Sequence, residues 1–95
     1  MKDLKMEIEQ SAMQFFDEQR ALQKPKMSVQ TLADKVFPGV SNNRMIIQRM
    51  RKPQANGKTR AMALGEFVEM ARAFNMSPLD ALSVVLNRVE DTKIG

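Results

Sequence analysis

Apolar residues recur at spacings of three and four along most of the chain, and β-branched alternation is nearly absent. The pattern therefore predicts helices and no sheet. Leu4, Ile8, Ala12, Phe15, Phe16, Gln19 and Leu22 approximate one stripe on a helix over 4–22. Pro25 in "QKPK" stops it, because proline disfavours helix in the residue before it. "SVQTLADKV" predicts a second, short helix with Ser28 as N-cap and Val29, Leu32, Ala33 and Val36 on its inner face. "FPGV" breaks that helix. A third begins at Ser41, Asn42 or Asn43. Its Ile46, Ile47 and Met50 share one side with Asn43 beside them, and Arg44, Gln48, Arg51 and Lys52 share the other. "KPQANGKTR" reads as a loop. "MALGEFVEMARAFN" carries a stripe of Leu64, Phe67, Val68, Ala71 and Phe74, and Asn75 suits a left-handed C-terminal cap. The fifth helix opens with Ser77 as cap, Pro78 at its first position and Asp80 in its first turn, and is expected to run to about Val89.

The expected fold class is all-α, a compact bundle of about five helices. Ninety-five residues fit one small domain, 1–95, with 1–24 a long N-terminal helix and 90–95 a short tail. A chain of this length buries a modest core, and association with itself or a partner would add to its stability. Its 43% hydrophobic and 27% charged residues argue against wholesale disorder. Nine methionines read as core filling.

Cysteine and histidine are both absent. No disulfide framework or thiolate metal site follows, a zinc site would need carboxylates alone, and the usual general base is missing. We expect no cofactor, no metal, no small-molecule substrate and no enzymatic activity. The acid pair Glu66 and Glu69 is explained by a solvated helix face. No apolar run approaches the roughly 18 residues of a membrane span, and "MKDLKMEIEQ" is too charged for a signal peptide. The expected location is the cytoplasm.

The net charge of +4 matters less than where it lies. Lys35, Arg44, Arg49, Arg51, Lys52, Lys58 and Arg60 fall between 35 and 65 with no acidic residue among them, while both flanks are mildly acidic. Exposed helices usually interleave signs, because like charges at i,i+4 repel. A purely basic face calls for an external polyanion, and a phosphate backbone is the usual one. Two short helices joined by a turn, the second with its polar side outward, is the helix-turn-helix plan. An α-helix fits the major groove of DNA, where Asn and Gln pair with adenine and Arg with guanine. Asn42, Asn43, Arg44 and Gln48 are the candidate base readers. Arg49, Arg51, Lys52, Lys58, Thr59 and Arg60 are the candidate phosphate contacts.

"MSVQTLADKVFPGVSNNRMIIQRM" followed by "LGEFVEMARAFNMSPLDAL" resembles the lambda-repressor-like Cro/repressor helix-turn-helix family, also called the Xre family. The likeness covers residues 27–82. "Ser-x-x-x-Leu-Ala" looks like the family's second-helix opening, Gly39-Val40-Ser41 like its turn, and 74–82 like the segment that joins its last two helices. The resemblance implies a five-helix bundle that binds operator DNA, generally as a dimer, with Ser28 and Gln30 near a phosphate. Val29 stands where the family often has glutamine, and Phe37-Pro38 reads as a two-residue insertion before the turn. That leaves the register of 42–44 on the bases open by about two residues.

"NGKT" is similar to the end of a phosphate-binding P-loop, but position 52 is lysine rather than glycine and a helix precedes, not a strand. The fifth helix carries Leu79, Leu82, Val85, Leu86 and Val89 on one face and further apolar area at Ala81 and Val84. Ala81, Val84, Val85 and Arg88 are the candidate homodimer contact, with the first helix the other choice. The leading expectation is a sequence-specific DNA-binding regulator, a repressor of phage, Cro-like or antitoxin type, acting on double-stranded DNA in the nucleoid. The alternative is a protein-interaction module on the same fold, an antitoxin half or adaptor. RNA binding lacks exposed aromatics for stacking, since all five aromatic residues are Phe and most fall on core stripes.

Overall fold

The computed structural model describes residues 4–94 apart from Asn56, with side chains as far as Glu90. Five helices follow in order: α1 Leu4–Leu22, α2 Val29–Val36, α3 Asn43–Arg51, α4 Leu64–Ala73 and α5 Pro78–Ile94. Among the described residues there is no strand, and no helix is long and apolar enough to cross a membrane. α1 packs on α5, α3 and α4, and α2 packs on α3 and α4.

Phe16 of α1 is fully buried at the centre. Its ring lies 5.5 Å from Phe15, 5.3 Å from Phe67 and 6.1 Å from Phe74, centroid to centroid. Leu32 and Ala33 of α2, Ile47 and Met50 of α3, and Met70 and Ala71 of α4 close around this cluster. The three-and-four spacing of these positions is what sets each helix's inner face.

The ends of the α1 stripe depart from expectation. Leu4 and Leu22 are exposed, while Met13 and Arg20 are buried. At the C-terminal end the cause is the connection to α2, which folds back over Arg20. The Arg20 carbonyl accepts the Met27 N–H at 3.0 Å, and its Nη1 donates to the Met27 carbonyl at 2.9 Å. Arg20 Nε and Nη2 donate to Asp17 Oδ1 at 3.2 and 3.0 Å. A buried guanidinium with its donors satisfied in this way is tolerated where an unpaired one is not.

Ser28 caps α2 as its sequence suggests, accepting the Thr31 N–H on its hydroxyl. The turn to α3 uses two left-handed residues, Gly39 at φ 74° and Asn42 at φ 58°. Glycine and asparagine adopt this region most readily. At the far end of α3, Pro53 has no N–H for the Arg49 carbonyl. That carbonyl instead accepts the Arg60 N–H at 2.8 Å, which pins the loop after α3 to the helix end.

α4 starts without a side-chain cap, since Ala63 offers no acceptor. Glu66 supplies half of a capping box, accepting the Ala63 N–H at 2.9 Å. α4 ends in a Schellman motif: Asn75, at φ 57°, donates to the Arg72 carbonyl, and the Met76 N–H donates to the Ala71 carbonyl. α5 extends past the expected Val89 to Ile94. Its inner face is Ala81, Val85 and Val89, leaving Leu79 78% exposed. Ala81 and Val85 are an i,i+4 pair on that inner face, and Leu79, two residues before Ala81, falls on the opposite side.

Candidate nucleic-acid interface

α3 is amphipathic in the expected sense. Ile47, Met50 and Asn43 are buried, and Arg44, Met45 and Arg49 are exposed, followed by exposed Lys52 at the helix end. Gln48 is half-buried. Asn42, Arg44, Met45, Gln48, Arg49, Lys52 and Gln54 line one shallow depression. Arg44, Arg49 and Lys52 take part in none of the ion pairs among the described residues. Arg44 also sits in the first turn of α3, where no acidic residue offsets the positive end of the helix dipole. A bound anion would relieve both features.

Three polar candidates spend their side-chain hydrogen bonds within the chain instead. Asn43 is 6% exposed. Its Nδ2 donates to Asp34 Oδ1 at 2.9 Å and to the Phe37 carbonyl at 3.2 Å, and its Oδ1 accepts from Gln30 at 2.9 Å. Asn43 is therefore not a base reader but a strut between α2 and α3. Gln30 is exposed, yet its Nε2 donates to both Asn43 and Asp34, the latter at 3.0 Å. Both amide hydrogens are spent, and the remaining carbonyl is an acceptor with nothing to offer a phosphate oxygen. The Ser28 hydroxyl is likewise committed to Thr31, by its N–H and its Oγ1.

Two arginines counted as phosphate contacts are ion-paired. Arg51 Nε lies 2.9 Å from Asp17 Oδ2 and 3.0 Å from Oδ1, and its Nη1 donates to Gln48 Oε1 at 2.7 Å. Arg60 holds Glu66 through two bonds of 2.9 Å, and its guanidinium carbon lies 5.8 Å from the centre of the Phe37 ring. The side-chain bond from Arg60 holds the Glu66 carboxyl below its ordinary value, against partial burial, which pushes it up. Lys58 is exposed and Thr59 half-buried in the loop.

The dimer candidates on α5 also divide. Ala81 and Val85 are fully buried within the chain, so they cannot form a contact between two copies. Val84 is half-buried. Arg88 is engaged with Glu18 at 2.8 and 3.1 Å and lies over the Phe15 ring at 5.3 Å. That bond lowers the Glu18 carboxyl and raises Arg88.

Met45 is a member of the outward face that sequence reasoning passed over. Its position one residue after Arg44 and four before Arg49 is the signal for it, and an exposed methyl there suits a thymine methyl. Comparison with protein-family models, curated proteins and solved structures finds no match to this chain.

Proposed function

We propose that this chain is a sequence-specific DNA-binding regulator of the lambda-repressor-like helix-turn-helix kind. In this reading α2 braces α3, and α3 enters the major groove of double-stranded DNA. The supporting observation is the row of Arg44, Arg49 and Lys52, which is exposed, without ion pairs among the described residues, and set on a helix whose opposite side is core. Arg44, Gln48 and Asn42 are the base readers, with Met45 as an apolar contact. Arg49, Lys52 and Lys58 hold phosphates. The regulator acts as a repressor by occupying its site.

A homodimer belongs to the proposal, because one short α3 reads only a half-site. With Ala81 and Val85 buried, the surface for a second copy shifts to the apolar groove of Leu4, Ile8, Met62, Leu64, Phe67 and Leu82, bordered by Lys5 and Glu9. The same groove is what favours the second reading, a protein-interaction module. Sedimentation separates the two: self-association that Leu64→Lys abolishes supports the dimer, and a monomer at all concentrations supports the other.

Selection of bound duplexes from a random pool tests the function. A palindrome with half-site centres about 10 base pairs apart, or a multiple of that, is expected. A pool with no enriched sequence counts against the proposal.

A further inference from the structure

We infer that Gln48 selects a keto base, guanine or thymine, and disfavours adenine, because a chain of ion pairs from the core fixes which end of its amide faces the groove. The inference rests on the DNA reading above. A glutamine free to turn pairs with adenine through both ends of its amide, the carbonyl accepting from N6 and the NH2 donating to N7. Gln48 is not free to turn. Arg51 Nη1 donates to its Oε1 at 2.7 Å. A guanidinium carries donors only, so the reverse placement would set the amide NH2 against another donor.

Arg51 is itself fixed. Its Nε bonds both oxygens of Asp17, at 2.9 and 3.0 Å. Asp17 Oδ1 also accepts from Arg20, which is 6% exposed and tied to the Met27 carbonyl. Gln48 is thus the outer end of a relay that runs from Met27 through Arg20, Asp17 and Arg51. Its NH2 makes no hydrogen bond among the described residues, and its side chain lines the same depression as Arg44 and Arg49.

Two consequences follow for a base edge. One of the two lone pairs of the Gln48 carbonyl already holds a charged donor, so an adenine N6–H or cytosine N4–H brought to the other is placed beside the guanidinium's own N–H and positive charge. The NH2 is a stronger donor for the same reason, since hydrogen bonds in a chain polarise one another. Guanine offers N7 and O6 to that donor and thymine offers O4, whereas adenine offers N7 alone with its N6–H2 donor beside it.

The test is the random-pool selection run with the intact chain, Gln48→Ala, Arg51→Met and Arg51→Lys, each checked for helical circular dichroism. Gln48→Ala is expected to erase preference at one position per half-site, which locates the Gln48 contact. The intact chain should favour G or T there by roughly fivefold or more. Arg51→Met frees the amide, and adenine should gain at that position alone. Arg51→Lys covers the case in which the methionine variant does not fold. An ammonium lacks the planar fork that holds Asp17 and Gln48 together, so the same relaxation is expected. Adenine or cytosine at the Gln48 position in the intact chain overturns the inference, as does an unchanged G/T preference in both folded Arg51 variants. A pool with no enrichment by any of these proteins defeats the DNA reading itself, a separate outcome from either.

Discussion

The side-chain amide of Gln30 donates to Asn43 Oδ1 across 2.9 Å, joining α2 to α3 at the foot of the proposed reading face. Both residues carry groups that DNA-binding helices use, and both spend them inside the chain. Asn43→Ala removes the three hydrogen bonds that tie the start of α3 to Gln30, Asp34 and the Phe37 carbonyl. It should destabilise the fold by about 1–3 kcal/mol, read as a lower urea midpoint at constant m-value. Arg44→Ala should lie within about 0.5 kcal/mol of the parent. Equal effects of the two would mean that Asn43 is not a strut.

Asp17 joins α1 to α3 by accepting from Arg20 and Arg51 together. Asp17→Ala leaves the nearly buried Arg20 without its carboxylate. Because Asp17 and Arg51 are partly open to solvent, about 1–3 kcal/mol is expected rather than the larger cost of a fully buried pair. A double-mutant cycle of Asp17→Ala with Arg51→Ala should show coupling above about 0.5 kcal/mol. Strict additivity of the two would show that the pair contributes nothing to holding α3.

Acid should weaken the fold through Glu66. Its folded value lies below the ordinary 4.5, chiefly through the Arg60 bond. Its contribution is therefore complete above about pH 4.5 and lost as pH falls through the folded value. Glu66→Gln should flatten the stability profile below pH 4.5, and an unchanged acid limb contradicts this. With no histidine or cysteine in the chain, DNA affinity at fixed salt should stay level between pH 6 and 8.

Periodicity, with proline and glycine as breaks, located all five helices, because each contributes residues at three-and-four spacing to one shared core. Local chemistry located Ser28 as a cap and Asn75 as a left-handed residue, since both effects act within a few residues of chain. What could not be read are partnerships between distant positions. Nothing near Arg51 in sequence announces Asp17, and nothing near Arg20 announces that the loop at Met27 will cover it. Asn43 was legible in part: its place beside Ile47 and Met50 marks it as inward, yet its residue type suggested a base. The α5 face was misplaced for a related reason, because sequence counts apolar residues but does not say that Ala81 and Val85 are the ones α1 and α4 cover.

Ion pairing within the chain should soften the salt dependence of binding. Six phosphate contacts would give a log–log slope near −5. With Arg51 and Arg60 paired to Asp17 and Glu66, two of those six contacts are lost, and a slope of roughly −3 to −4 is expected. Glu66→Gln should release Arg60 and steepen it by about 1. A parent slope of −5 or beyond would show that the pairs open on binding.

The most direct measurement concerns Arg44, the exposed arginine that opens α3. The affinities of the parent and of Arg44→Ala are compared on a selected duplex and on a scrambled one at the same salt. On the selected duplex the variant should lose about 1–3 kcal/mol, and on the scrambled duplex clearly less. Equal losses on both would contradict base reading by this helix and reduce its basic face to a nonspecific electrostatic surface.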